Sequence, residues 1–265
     1  MIELDIRPVT GSTGTEAQIA TVTLDAPDKL NALDLEGLEE LRAAYGVAET
    51  AGVRALVLRG EGRAFCAGRD IAGVDAATDD VPAYLDGALT PLLQEMSAFP
   101  APTFAVAHGA CLGVGLGLLI ATDVVYVADT ARIGSPFAAL GAVLDSGGHA
   151  LLYERLGAHR ALDLIYTGRL MTGAEAVAAG LFSQVFPADE VDDAAIRAAE
   201  TAATGATQAF LASKRLIQSL RDERLGLWDA MARENQAQAA LQATADYREG
   251  FAAFTEKRPP IFTGR

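Results

Sequence analysis

The segment that most restricts how this chain can fold is PTFAVAHGACLGVGLGLLIATDVVYVAD, residues 102–129. Thr103 to Ala107 is an apolar run bounded by Pro102 and a His-Gly turn, and it reads as a buried strand. Glycines at 109, 113, 115 and 117 lead into a helix that ends near Ala121, and VVYVAD is the next strand. A strand, a helix and a strand in so short a run form a crossover unit, with both strands in a sheet and the helix packed on it. The part CLGVGLGLLIATDVVYVA is the longest apolar segment, but glycines and an aspartate interrupt it in a helix-then-strand pattern. A membrane span needs a more uniform stretch.

The same alternation runs through the first half. A strand over 19–24 precedes the turn-forming DAPDK, a helix covers 33–48, and ALVLRG is a short strand ending in glycine. GEGRAFCAGRD is a loop of small residues, and 84–96 reads as a helix closed by Pro100 and Pro102. Beyond about residue 155 strands nearly stop, and helices are expected over 159–166, 172–179, 191–203, 206–220, 225–245 and 247–254. The fold class is therefore α/β, with a core over 1–190 and a helical C-terminal part over 191–265. The last helices carry few large apolar residues, so they pack on a neighbouring subunit or dock loosely on the core.

Composition removes several classes of function. With 265 residues, 51% of them apolar, the chain can bury a large core. A net charge of −14, and no Lys/Arg cluster longer than two, argue against nucleic-acid binding. The two cysteines and three scattered histidines make no metal-ligand pattern and no disulfide scaffold. MIELDIRPVT contains acids and no apolar run, so a cytoplasmic location is expected.

The chemistry lies in the loops. GACLGVGLG lacks both the G-x-G-x-x-G order and the G-K-[ST] ending, so it is neither a dinucleotide motif nor a phosphate loop. Its glycines serve helix packing or the approach of a ligand. CAGRD and ACLGVG can each present a main-chain N–H to one carbonyl oxygen and so stabilise negative charge there. Asp145 is the lone acid of SPFAALGAVLDSGGHALL, residues 135–152. Followed by Ser-Gly-Gly, it is a helix cap or turn residue, or a base in an apolar site. His149, four residues on, shares its helical face and either bonds the carboxylate or fills space. Cys66 reads as a small buried residue, His108 as structural, and His159 as facing solvent or Asp163.

Taken together, LDAPDKLNAL (24–33), RALVLRGEGRAFCAGRDI (54–71), PTFAVAHGACLGVGLGLLIATD (102–123), FAALGAVLDSGG (137–148), GRLMTGAEAVAAGLFSQVFP (168–187) and EGFAAFTEKRPPIFTG (249–264) resemble the enoyl-CoA hydratase/isomerase, or crotonase, superfamily in family order. The resemblance implies a spiral core of two roughly perpendicular sheets and a helical C-terminal region that trimerises the protein, with trimers often paired as hexamers. It implies an acyl-CoA thioester substrate, with coenzyme A part of that substrate, no separate cofactor and no metal. The N–H groups of Arg69 and Val114 match the two donors to the thioester oxygen, with Gly115 the neighbouring register. Lys29, Ala67, Arg69, Asp70 and Ile71 match positions that hold coenzyme A, as do Phe254 and Lys257 from the C-terminal helix, often across a subunit boundary. Packing remains the alternative for Phe254, and solvated charge for Lys29 and Lys257. The Arg69 side chain reaches a phosphate or a substrate carboxylate, or pairs with Asp70 or Glu61.

The chain departs from the hydratases of that family at both of their glutamates. The matching positions are Gly117 and Phe137. Asp145 instead matches the acid of the Δ3,Δ2-enoyl-CoA isomerases and of the ring-epoxide isomerases of phenylacetyl-CoA breakdown. A single carboxylate can take a proton from C2 and return it at C4. The expectation is an acyl-CoA isomerase, with a hydratase using Asp145 with His149 or an ordered water as the alternative. A lyase or dehalogenase relative would want a histidine after CAG, and none stands between 70 and 107. A non-catalytic acyl-CoA binder would have no need of Asp145. Acyl-group preference is assigned to Tyr84, Leu89, Leu92 and the Phe137 region.

Overall fold

The computed structural model describes residues 1–265. Its main sheet begins with β1 (Ile2–Thr10), which pairs antiparallel with β2 (Glu16–Leu24) from Ile2↔Leu24 to Thr10↔Glu16. β1 is unanticipated by the sequence reading. Its alternation is that of an edge strand, with Ile2, Leu4 and Ile6 packed on the core and Glu3 and Asp5 exposed. Helix α1 (Leu35–Thr50) starts at Asp34, whose carboxylate accepts the Gly37 N–H at 2.8 Å. It leads to β3 (Ala55–Gly60), parallel to β2.

The helix expected over 84–96 opens instead as a π-turn, Ala83–Leu89, before continuing as α2 (Thr90–Ala98). Pro91 explains the wide start, because it has no N–H and its ring crowds the carbonyl four residues back. The N–H of Thr90 reaches Leu85 O, five residues back. Next come β4 (Thr103–Ala107), β5 (Ala110–Leu112), α3 (Val114–Ile120), β6 (Val124–Ala128) and β7 (Arg132–Gly134). Helices α4 (Gly148–Leu156) and α5 (Ala158–Thr167) follow, then β8 (Met171–Thr172), α6 (Gly173–Ala178) and β9 (Gln184–Phe186). The six-stranded sheet has the order β1-β2-β3-β4-β6-β9, parallel beyond β2, and a second sheet has the order β5-β7-β8.

Helix α7 (Val191–Ala203), which the sequence reading grouped with the C-terminal part, packs on the large sheet against β2, β3, β4, β6 and β9. Val191, Ala195, Ala199 and Ala203 recur every fourth residue and are fully buried, so the helix lies close on the strands. Helices α8 (Thr207–Glu223), α9 (Leu227–Leu241) and α10 (Ala245–Glu256) lie outside and bury few residues. The chain end is tied back by buried Asp246, which accepts the N–H groups of Thr263 at 2.7 Å and Gly264 at 2.8 Å. No helix is long and apolar enough to cross a membrane.

Candidate active site

The segment after β3 runs as an extended strap between two neighbours. On one edge, the Cys66 N–H donates to Ala110 O at 3.0 Å and Leu112 N–H donates to Cys66 O at 3.0 Å, which sets Cys66 beside Cys111. On the other, Leu33 N–H donates to Gly68 O and Asp70 N–H to Leu33 O, both at 2.9 Å. In such a parallel bridge the residue between, Arg69, turns its own N–H away from Leu33 and leaves it without a backbone acceptor. The strap lies against the start of α3, where a β-carbon at Gly68 would stand 3.1 Å from Leu112 O and 3.9 Å from Val114 N. Val114 is the first residue of α3, so its N–H has no intrahelical acceptor. The preceding Gly113 has φ +52°, and a β-carbon there would meet the Phe137 ring at 2.9 Å, so the turn requires glycine.

Lys29, Ala67, Arg69, Asp70 and Ile71 line one cleft, as the sequence reading grouped them. Lys29 Nζ lies 2.8 Å from Asp70 Oδ2, a hydrogen bond that raises the lysine pKa and lowers that of the aspartate. The Arg69 guanidinium pairs with neither Asp70 nor Glu61. Asp70 is already engaged by Lys29 and the Ala72 N–H, and Glu61 by Arg59. Arg69 instead makes a two-pronged pair with Asp79, at 2.8 and 2.6 Å, and lies 4.2 Å over the Tyr84 ring. That hydrogen-bonded pair raises the arginine pKa and lowers that of Asp79. The Tyr84 hydroxyl donates to Leu33 O at 2.8 Å, so Leu33 anchors both the strap and the ring beneath Arg69.

Asp145 is half-buried on the loop before α4. Its charge reaches Arg69 and Tyr84, adding to the effect of Asp79 on the first and of burial on the second. The Ser146 hydroxyl donates to Asp145 Oδ1 at 2.6 Å. Helix α4 is capped by Gly147 with no side-chain hydrogen bond, so the carboxylate caps nothing. Only the Asp145 carbonyl serves the turn, accepting the Gly148 N–H at 2.9 Å. His149 is exposed and makes no hydrogen bond to the carboxylate, so it neither orients the acid nor fills a space beside it. At Gly117 a β-carbon would fall 2.5 Å from Ser146 Cβ, and Gly115 lies equally close to Cys66 O, at 2.4 Å. Both glycines are therefore packing glycines, which resolves the choice that the sequence left open for them.

Other expected residues lie elsewhere. Phe254 is 85% exposed and lines a groove of α8–α10 with Tyr247, Phe251 and Phe262, while Lys257 ends α10 with φ +57°. Within one chain neither joins the cleft of Lys29 and Arg69. Tyr84, Leu89 and Leu92 are core side chains at 0–1% exposure, which corrects their assignment to acyl-group preference. The Cys66 thiol is fully buried and its pKa is pushed up to about 12, which removes it as a nucleophile. His108 Nε2 lies 3.2 Å from Gly62 O, and His159 is exposed. Three residues escaped the sequence reading. Asn31 accepts the Ala26 N–H and donates to Glu61 O and Ala64 O, pinning the DAPDK turn to the strap. Asp79 holds Arg69, and Ser146 holds Asp145. A buried amide inside a turn signals itself in LNAL, whereas Asp79 is one of several acids in DAATDD.

The two-sheet fold, with a largely buried strap packed on the start of α3 and a half-buried carboxylate whose charge reaches Arg69 of that strap, is that of an α/β protein of the crotonase superfamily. The family model described as enoyl-CoA hydratase/isomerase matches residues 14–265, and the chain belongs to that family. A probable enoyl-CoA hydratase of Rhodobacter capsulatus is 35% identical over 247 residues, covering 93% of this chain and 95% of its own. The 1,2-epoxyphenylacetyl-CoA isomerase of Escherichia coli is 31% identical over 255 residues, covering 94% and 97%. The crystal structure of an enoyl-CoA hydratase from Bacillus anthracis superposes with a TM-score of 0.87 at 29% identity, covering 100% of this chain and 99% of its own.

Proposed function

We propose that the protein is an acyl-CoA isomerase that shifts a double bond with Asp145 as its single base. One observation carries the reading. Gly117, where the hydratases of the family would place a glutamate, has no room for a β-carbon because Ser146 occupies the space, and the Asp145 carboxylate stands one residue from that Ser. The second hydratase position, Phe137, presents a ring against Gly113. In this reading the N–H groups of Arg69 and Val114 donate to the thioester oxygen. They stabilise the enolate formed when Asp145 takes a proton from C2 of a 3-enoyl thioester. The C2–H electrons move into the C1–C2 bond as the carbonyl π pair goes onto the thioester oxygen. When that oxyanion collapses, the C1–C2 pair becomes the C2–C3 double bond and the former C3–C4 π electrons turn to C4. The carboxylic acid then returns the same proton at C4, giving the 2-enoyl thioester. Atoms are conserved, no water is activated, and coenzyme A enters only as part of the substrate.

Hydration remains the second reading, favoured by the names of most relatives, among them the Rhodobacter capsulatus protein. It needs a carboxylate and a positioned water where this chain offers Asp145 alone. Lys29, Ala67, Asp70 and Ile71 are the proposed coenzyme A contacts within the chain. Phe254 and Lys257 are proposed to reach the cleft of a neighbouring subunit in a homotrimer or a dimer of trimers. The test is Asp145→Asn, expected to lower isomerisation by about 10²–10⁴-fold with acyl-CoA affinity retained. Unchanged turnover in that variant sinks the mechanism.

A further inference from the structure

We infer that Ser146 is a positioning residue for Asp145, fixing one carboxylate oxygen so that the other faces the substrate. The inference rests on Asp145 as the base. Ser146 has φ +55°, a left-handed conformation that residues with a β-carbon avoid, and Gly147 beside it takes φ +84° at no such cost. A serine at a place that suits glycine calls for a use of its side chain, and the structure shows two. Its β-carbon packs on Gly117 of α3, the closest approach that α3 makes to the Asp145 loop at a glycine. Its hydroxyl donates to Asp145 Oδ1 at 2.6 Å.

An ionised carboxylate only accepts hydrogen bonds, so the hydroxyl is the donor in this pair. The Asp145 carboxylate receives no other hydrogen bond from the chain: Arg69 is turned to Asp79, and His149 is exposed. Without Ser146 the carboxylate would rotate freely about its last bond. A base that removes a proton from one carbon and delivers it to another must hold its orientation between the two transfers. The contact with Gly117 fixes Ser146, Ser146 fixes Oδ1, and Oδ2 is left for the proton.

Ser146→Ala and Ser146→Gly separate this role from loop shape. Both remove the hydroxyl, but glycine also relieves the left-handed backbone. Both variants are expected to lose about tenfold or more in kcat for 3-enoyl-CoA isomerisation, with KM within about twofold of the parent, as for an orienting contact made at the reacting group. Ser146→Gly should unfold at a temperature no lower than the parent, which excludes misfolding as the cause of its loss. Parental kcat in Ser146→Gly overturns the inference, because it shows that only the backbone shape matters. Asp145→Asn assayed alongside keeps the two claims apart. An inactive Asp145→Asn with a fully active Ser146→Gly defeats the positioning role alone, and an active Asp145→Asn defeats the base itself.

Discussion

Asn31 shows what single residues contribute to this site. It is 1% exposed, sits at φ +57° and spans the turn before α1 and the strap that carries Arg69. Its amide nitrogen donates to two carbonyls, Glu61 O at 2.9 Å and Ala64 O at 2.7 Å. Asn31→Asp would leave those carbonyls facing a carboxylate that cannot donate. The expected cost is about 2–4 kcal/mol, seen as a lower denaturation midpoint. An unchanged midpoint would show that the turn holds without the amide. At this scale the sequence was legible where chemistry is rare. Asp145 stood out because it is a lone acid in an apolar stretch, and Cys66 read as a small buried residue because no histidine stood at a spacing to activate it. The partner of Arg69 was not legible, because the path of the loop over 70–79, and not spacing, brings Asp79 back onto the guanidinium.

Among the elements, strands and helices bounded by proline or glycine were readable to within a few residues, as with β3, β4 and α7. β1 was not, since Pro8 and its charges blur the alternation, and β8 and β9 are too short for any pattern and exist through their partners. The loop over 70–79 is closed at its two ends by Lys29–Asp70 and Arg69–Asp79. Asp79→Asn should release that closure, raising amide exchange over 71–78 while the main sheet stays protected. Equal protection in parent and variant would contradict a closing role. At the chain end, Glu249 is held down to about 2 by Arg258 first and then by the Ile261 N–H. Its folded pKa lies below the ordinary 4.5, so the contribution is complete above about pH 4.5 and is lost as pH falls toward about 2. Glu249→Gln should therefore lower the unfolding midpoint at neutral pH and lessen its decline in that acid window. A parallel decline in both proteins would refute the linkage.

For the whole molecule, the outer helices leave large apolar side chains in solvent: Leu227 at 68%, Trp228 at 76%, Phe251 at 59% and Phe254 at 85% exposure. Such faces on α9 and α10 suit contact with further copies of the chain. The expected solution mass is three or six times 27.6 kDa by light scattering, and a stable monomer would contradict the proposed assembly. The overall architecture was legible because an ordered set of segments spans nearly the whole chain. The reaction is less so, because it depends on how the 135–148 loop packs on α3, with Phe137 against Gly113 and Ser146, beside Asp145, against Gly117. The most direct measurement compares two rates on one preparation of the protein: conversion of a 3-enoyl-CoA to trans-2-enoyl-CoA, and hydration of crotonyl-CoA. A single-base isomerase shows the first clearly faster than the second, with Asp145→Asn losing it. Faster hydration of crotonyl-CoA, surviving in Asp145→Asn, would contradict the account.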